Sequence, residues 1–249
     1  MNVVVFDTET VSLEKPFCYN IGYTIVNTES REKLVRRDYV VEQVWHNPML
    51  FITAYYADKH DKYVSAMRSR ATQMDKYGYI CRAMIRDFVT YNVEGAYAYN
   101  SPFDDKVFTF NSEWYHCSNP FDNLPIFDIR GYVHNFLIDE GYLSFCEENG
   151  YLTETGNYST TAETVYRYIT GNTDFIEDHT ALSDSEIEAD ILLKCLDCGA
   201  ALNINYDVKR SIKREVEKTL TVHTRDGEEH KFNYTSIRIN KDKTDIKLK

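Results

Sequence analysis

Glycine and proline are scarce in this sequence, with 10 and 5 residues among 249. This scarcity excludes collagen-like repeats and architectures dominated by linkers. The chain also lacks any apolar run near the roughly 18–20 residues that a membrane-spanning helix needs. Its first residues, MNVVVF, have no basic start and lead into an acidic tripeptide without a small-residue cleavage site, so they are not a signal peptide. We therefore expect a soluble cytoplasmic protein that does not bind a membrane.

A disulfide framework is not expected either, although the chain contains six cysteines. They are dispersed through apolar stretches, and without a secretory signal this pattern indicates reduced thiols. Cys195 and Cys198 form a single CxxC inside a helical pattern, with no second pair at zinc-finger spacing. Buried helix cysteines are the favoured interpretation of this pair, and a metal or redox role is the alternative.

The composition predicts a folded acidic protein. Apolar residues make up 43% of the chain and charged residues 27%, and the length fits one large or two small domains. The net charge of −11 argues against a protein that coats nucleic acid non-specifically, because neutralisation of phosphates dominates such binding. From residue 205 onward 12 Lys and Arg face 8 Asp and Glu, a net charge of +4, so the first 204 residues carry −15.

Hydrophobic spacing in the first hundred residues predicts strands, then helices. Residues 3–6, 18–27 and 33–43 are rich in Val, Ile and Tyr and predict a three-stranded antiparallel meander. Residues 47–91 have helical spacing and almost no breakers, which predicts two or three helices. A fourth short strand is predicted at residues 96–99.

The pattern in the second half of the sequence predicts further helices, followed by strands near the C-terminus. Ser101 is predicted as the N-cap of a helix whose first residue is Pro102, and Asp128 as the cap of another. Residues 139–160 look like a loop, and helices follow at 161–169 and at 183–196, the latter opened by a Ser183…Glu186 capping box. Strands at 219–224 and 231–239 around Asp226-Gly227 predict a hairpin.

These patterns predict an α/β domain over residues 1–204, with a helical insertion at about 46–94. Residues 205–249 are predicted to form a basic C-terminal appendage that contains the hairpin.

The first of three acidic clusters follows the first strand. Asp7 and Glu9 are two residues apart, so on a strand their carboxylates share one face. Two like charges so close are unfavourable unless a cation holds them. An acidic strand end dissolved in water is the alternative.

The second and third clusters place carboxylates at helix starts. Asp104 lies in the first turn after the strand at 96–99, while its neighbour Asp105 should point around the helix. His179 precedes a late helix, and Asp184 lies in the first turn of that helix. Ordinary capping aspartates and a surface histidine are the alternatives. Surface or core positions are expected for the other histidines, His46, His60, His116, His134, His223 and His230.

The joint order of these motifs resembles the DEDDh exonucleases, the family of the proofreading epsilon-type subunit of bacterial DNA polymerase and of ribonuclease T. The matching motifs are Asp7-Thr8-Glu9, then Asn100-Ser101-Pro102-Phe103-Asp104, then His179 followed five residues later by Asp184. The resemblance covers roughly residues 1–200. It implies a ribonuclease-H-like α/β fold, in which a mixed sheet is flanked by helices.

The resemblance also implies a chemistry. Asp7, Glu9, Asp104 and Asp184 would hold two divalent cations, Mg²⁺ or Mn²⁺, and His179 would act as general base on the attacking water. The implied reaction releases 5′-mononucleotides one at a time from the 3′ end of single-stranded DNA. An RNA or oligoribonucleotide 3′ exonuclease is the alternative substrate class.

Substrate contacts are implied for a few residues near the motifs. Leu13 and Phe103 could pack against terminal bases, although core packing is the favoured role of Phe103. Basic residues near the C-terminus could follow the backbone of the strand or form a solvated helix face; they are Lys209, Arg210, Lys213 and Arg214. The further substrate-binding candidates are Thr8, Thr10 and Asn100.

One departure and two rival functions remain open. Where the family often has Thr-Gly-Leu, the chain has Val11-Ser12-Leu13, which leaves the ligands unchanged but alters the loop at the 3′-end pocket. A catalytically inactive nucleic-acid-binding or polymerase-binding module would have lost a motif residue, and none is lost. A ribonuclease H or resolvase lacks the His…Asp pair.

Nucleic-acid 3′ ends are the expected partners, together with a replication or repair protein. The many tyrosines and lysines are typical of AT-rich genomes, such as that of a phage in its host's cytoplasm.

Overall fold

The computed structural model of the chain describes residues 1–52, 54, 57–214, 217–223, 229–235, 239–240 and 243–244. Two compact units account for them, one comprising Met1–Gly150 with Thr160–Lys209 and the other comprising Tyr151–Ser159 with Arg210–Lys249. The predicted boundary between residues 204 and 205 stays a prediction. Within the described ranges, none of the helices combines the length and apolar character needed to cross a bilayer.

The first unit is built on a six-stranded mixed sheet. Its strands are β1 (Asn2–Thr10), β2 (Cys18–Asn27), β3 (Lys33–Val41), β4 (Gln73–Asp75), β5 (Val93–Ala98) and β6 (Ile126–Asp128). The strand order is β4-β3-β2-β1-β5-β6. The β1–β2 and β2–β3 pairs are antiparallel, whereas β1–β5, β5–β6 and β3–β4 are parallel. The predicted opening meander is confirmed, and β4 is an edge strand that the sequence did not predict.

Nine helices lie in the described part of the chain. They are α1 (Glu42–Trp45), α2 (Pro48–Phe51), α3 (His60–Ser69), α4 (Tyr77–Thr90), α5 (Ser101–Trp114), α6 (Ile129–Phe136), α7 (Glu140–Asn149), α8 (Ala162–Thr170) and α9 (Ala181–Asp197), with a 3-10 turn at Ala57–Lys59 before α3. Three of them, α2 to α4, lie between residues 47 and 91, as the spacing predicts. The predicted α/β fold class, with a mixed sheet and flanking helices, is confirmed.

Some predicted helix boundaries are wrong. The stretch at 139–160 is not all loop, because Asp139 caps α7 by accepting a hydrogen bond from the Tyr142 amide. The helix α9 begins at Ala181 with Thr180 as its N-cap, so Ser183 and Glu186 do not form a capping box. Ser101 is likewise inside α5. The cap of α6 by Asp128 is confirmed.

The strand β1 packs against different helices on its two faces. Phe6 points into an aromatic core with α5, where its ring stacks on Phe121 at 4.3 Å and meets the edge of Phe108 at 5.7 Å between centroids. Side chains alternate along a strand, so Val5 and Asp7 point to the opposite face, where α9 packs across β1 and β2. The sheet thus places the last residues of β1 between α5 and α9.

The second unit contains short antiparallel pairings. The strands β7 (Glu217–His223) and β8 (Glu229–Thr235) pair antiparallel, with Glu217 opposite Thr235, in the region where the sequence predicts a hairpin. The predicted turn residues Asp226 and Gly227 lie outside the described residues. A second pair joins β9 (Ile239–Asn240) to β10 (Lys243–Thr244).

The basic stretch before this hairpin contains no helix between residues 205 and 214. The interpretation of Lys209, Arg210 and Lys213 as a solvated helix face is therefore wrong, although all three are exposed.

Cys195 is buried in α9, and Cys198 is the exposed C-cap of that helix. This agrees with the favoured interpretation of the first cysteine as part of a helix interior.

Candidate active site

Three carboxylates meet at the end of β1. Asp7 and Glu9 point to the same face, and one carboxylate oxygen from each lies within 4.8 Å of the other and of an oxygen of Asp184. Glu9 and Asp184 are buried, and Asp7 is half-buried. The sequence therefore predicted this juxtaposition of the first and third clusters.

Asp104 reaches the same edge of the sheet from α5. The parallel strands β1 and β5 end side by side, so the helix that follows β5 begins next to the end of β1. Asn100, with φ of 68°, turns the chain into that helix. The Thr8 hydroxyl donates a hydrogen bond to Asp104 Oδ1 at 2.6 Å, which ties the start of α5 to β1. Asp105 is exposed, as predicted.

A glycine on β2 allows α9 to come close enough for Asp184 to join the cluster. Gly22 pairs with Asp7 across the β1–β2 ladder. A Cβ at this position would overlap the backbone of Ala181 and Leu182. Only glycine therefore leaves room for the first turn of α9 on this part of the sheet.

A buried asparagine fixes the same helix start. Asn20 on β2 is fully buried, and its Oδ1 accepts hydrogen bonds from the Ala181 amide and from the Tyr63 hydroxyl, both at 2.9 Å. Its Nδ2 donates to the carbonyl of Tyr39 at 3.0 Å. One side chain thus connects β2, β3, α3 and α9.

Burial and mutual repulsion raise the pKa of every carboxyl in the cluster. Burial raises the pKa of Asp104 to about 7, that of Glu9 to about 8 and that of Asp184 to about 9. The pKa of Asp7 also lies well above its ordinary value, because of burial first and then the charges of Asp104 and Asp184. Without a cation, burial and mutual repulsion thus favour the protonated forms of these groups.

The donor set fits a hard divalent cation. All the converging ligand atoms are carboxylate oxygens, which Mg²⁺ and Mn²⁺ prefer. Asp184 Oδ1 is buried and has no hydrogen-bond partner among the described residues. A buried acceptor without a donor is costly, and a metal ion at this position would satisfy it.

His179 lies in the loop before α9, five residues before Asp184. Its φ of 47° is in the left-handed region, and 38% of its side chain is exposed. Its ring belongs to a second group of ligand atoms within 4.8 Å, formed with Glu163 and Glu177. Nδ1 lies 3.7 Å from Glu177 Oε2. Burial, followed by the charge of Lys59, lowers the pKa of His179.

The motifs did not indicate two further acidic residues at this site. Glu188 is fully buried, its pKa is raised by burial and then by Asp104, and its Oε2 accepts a hydrogen bond from the Tyr99 amide at 3.0 Å. It lies four residues after Asp184 and so shares its helix face, a spacing from which it could have been found. Glu177 precedes His179 by two residues, and burial raises its pKa to about 7.

The residues expected to touch substrate are placed in different ways. Thr8 and Thr10 are buried, and the Thr10 hydroxyl donates to the carbonyl of Ser12. Leu13 is 67% exposed, which leaves its side chain available to a ligand. Phe103 is partly buried and packs against the core.

Asn100, the fifth of these residues, accepts a hydrogen bond at Oδ1 from the Arg130 guanidinium. The backbone N–H of Asn100 donates to Asp128 Oδ1 at 2.9 Å, and the backbone N–H of Arg130 donates to the same oxygen. This aspartate therefore connects the starts of α5 and α6.

No family model matches the chain, and no curated protein matches its sequence. The structure is similar to that of the nuclease domain of 3'hExo, a DEDDh family member bound to rAMP. The match has a TM-score of 0.48 and 12% sequence identity, and it covers 85% of this chain and 97% of that one. It is also similar to E. coli Exonuclease I in complex with a dA16 oligonucleotide, with a TM-score of 0.46 and 13% identity. That match covers 78% of this chain and 40% of the other, less than half of its length.

Proposed function

We propose that this protein is a metal-dependent 3′–5′ exonuclease that hydrolyses the terminal phosphodiester of single-stranded DNA and releases 5′-mononucleotides. The convergence of Asp7, Glu9 and Asp184 within 4.8 Å, with Asp104 beside them, is the observation that carries the proposal. Buried carboxylates repel one another, so a cluster of this kind is typical of a site that binds cations.

The metal ligands in this proposal are Asp7, Glu9, Asp104 and Asp184. When bound, Mg²⁺ or Mn²⁺ lowers the pKa of a water and stabilises the leaving 3′-oxygen. The Thr8 hydroxyl holds Asp104 at 2.6 Å and so orients one ligand. Such hydrogen bonds around a metal site fix the direction of the ligand lone pairs.

His179 would act as the general base. Its pKa is lowered by burial and by Lys59, so the ring is neutral and able to accept a proton at pH 7. With Nδ1 facing Glu177 at 3.7 Å, Nε2 is the atom that takes the proton from the attacking water. Glu177 would orient the ring, as a carboxylate beside a catalytic histidine does in other hydrolases.

The 3′ end of the strand would lie next to the loop after β1. Leu13 is exposed there, and Lys106 on α5 donates to its carbonyl at 3.1 Å, which holds the loop against the helix that carries Asp104. Leu13 is therefore our candidate for packing against the terminal base, with Phe103 as a second apolar contact. Thr10 and Asn100 would support this pocket.

Neighbouring aspartates on α5 provide a matched test. Asp104 is buried at the site and Asp105 is exposed, so Asp104→Asn and Asp105→Asn change the same charge one residue apart. We expect Asp104→Asn to lower the rate of hydrolysis of labelled single-stranded DNA in Mg²⁺ or Mn²⁺ by about 10²–10³-fold or more, and Asp105→Asn to leave it nearly unchanged.

The same assay in EDTA should show no hydrolysis by any of the proteins. Parallel RNA substrates distinguish the two substrate classes. Equal activity of the two variants, or full activity in EDTA, would refute the proposal, and no activity of the wild type on any strand would favour an inactive binding module.

A further inference from the structure

A lysine from the segment between β3 and β5 reaches the loop that carries His179. Lys59 ends the 3-10 turn that precedes α3. Its ammonium donates hydrogen bonds to two successive backbone carbonyls, that of Asp178 at 2.6 Å and that of His179 at 2.8 Å. These bonds join residues about 120 positions apart in the chain, and no local sequence pattern predicts them.

The loop needs such support because of its backbone conformation. His179 has a φ of 47°, a strained conformation for a non-glycine residue that persists only where the surroundings hold it. Lys59 contacts the carbonyl on each side of the His179 α-carbon. It therefore fixes both peptide planes that set the direction of the imidazole.

The same ammonium carries a charge into the carboxylate cluster. It acts on Glu9 and on Asp184, and in both cases it opposes the rise in pKa that burial causes.

The helix that follows Lys59 is firmly attached to the sheet. Tyr63 on α3 is buried and donates to Asn20, the asparagine that also holds the start of α9. His60 stacks on the Trp45 ring at 4.8 Å with an interplanar angle of 5°. These contacts hold the start of α3, and with it the backbone of Lys59, in a fixed position.

We propose that Lys59 is a positioning residue of the site: it holds the His179 loop in its left-handed conformation. The catalytic meaning of this role rests on the proposed function, whereas its effect on the loop does not.

Lys62 offers a matched control. It lies on α3 one turn after Lys59 and pairs with the same loop, but through the side chain of Asp178. Both partners are about half exposed, so this ion pair contributes little to stability. Lys59→Met and Lys62→Met remove the same charge and the same kind of side chain, but only the first removes hydrogen bonds to the loop backbone.

The first measurement is hydrogen exchange in the metal-free protein. We expect Lys59→Met to speed exchange of the Ala181 and Asp184 amides at least roughly tenfold, because the loop before them is released. Lys62→Met should leave these rates unchanged, and Lys59→Arg, which keeps the donors, should restore most of the protection. Wild-type exchange in Lys59→Met would overturn the loop role.

Kinetics then connect this role to catalysis. In Lys59→Met, kcat should fall by about 10- to 100-fold with little change in KM, because a misdirected general base affects the chemical step. A wild type without nuclease activity, but with faster exchange of the two amides in Lys59→Met, would refute the proposed function and leave the positioning role supported. Activity in the wild type together with unchanged exchange in Lys59→Met would do the reverse.

Discussion

Asp184→Asn is expected to stabilise the metal-free protein while it removes activity. The Asp184 side chain is buried, with 6% of the residue exposed, and its Oδ1 has no hydrogen-bond partner among the described residues. Burial, with the charges of Glu177 and Glu9, raises its pKa from 3.8 to about 9. At pH 7 the folded protein must therefore hold a proton on a carboxyl that is ionised in the unfolded chain.

The sign and size of the effect follow from this difference. A raised pKa contributes stability that is fully present below the unfolded value and is lost as pH rises toward the folded value. The ordinary pKa of an aspartate lies about three pH units below pH 7, and each unit corresponds to about 1.4 kcal/mol. At pH 7 the free energy of unfolding of the wild type is therefore lower by roughly 4 kcal/mol than at a pH where the group is protonated in both states. Asparagine does not ionise, so the free energy of unfolding of Asp184→Asn at pH 7 should exceed that of the wild type by up to that amount. For a chain of this size, the gain corresponds to roughly 10 °C in Tm.

Thermal unfolding in EDTA at pH 5, 7 and 9 would measure this effect. The wild-type Tm should fall with pH, the Asp184→Asn Tm should fall less steeply, and the difference should grow between pH 5 and pH 9. Added Mn²⁺ should raise the Tm of the wild type and have a much smaller effect on the variant. Asp105→Asn should behave as the wild type. If Asp184→Asn were no more stable than the wild type at pH 7 and pH 9, although folded at pH 5, the reasoning would be wrong.

Three further predictions concern how α9 and its loop are held. Gly22→Ala should destabilise the protein by about 1–3 kcal/mol in denaturant unfolding and abolish activity, since its Cβ overlaps the backbone of Ala181 and Leu182. Asn20→Ala should cost about 2–4 kcal/mol by the same measurement, because it leaves the Ala181 amide without its buried acceptor. His179→Asn should lose about 10²–10⁴-fold in rate with unchanged Mn²⁺ affinity. Because its pKa is lowered, wild-type activity should rise with pH below the ordinary imidazole pKa of 6.5 and be flat near pH 7, and the variant should lose that rise. Destabilisation without loss of rate in Gly22→Ala, wild-type stability in Asn20→Ala, or an unchanged pH profile in His179→Asn would count against these assignments.

Much of the sheet could be predicted because it depends on short-range spacing, whereas the convergence of the acidic residues was implied by the resemblance of their motifs to a family. Alternation along β1 places Asp7 and Glu9 on one face, and the first turns of α5 and α9 place Asp104 and Asp184. The helix α7 was missed because its residues are polar, and its start depends on the Asp139 cap rather than on a clear apolar period.

The surroundings of the site could not be predicted, since they depend on contacts between distant segments. Gly22 matters only because α9 crosses β2 at that position. Lys59 reaches the His179 loop only because α3 is held by Asn20. Neither residue lies in a motif, and nothing in its neighbours along the chain signals its role.

The direction of cleavage tests the central claim most directly. A single strand of DNA labelled at its 5′ end is incubated with the protein in Mg²⁺, beside the same strand with a blocked 3′ end and a closed circle of similar composition. The account predicts a ladder of labelled products that shorten by one nucleotide at a time, 5′-mononucleotides as the released product, and no cleavage of the blocked strand or the circle. Cutting of the circle at a rate similar to that of the free strand would contradict it.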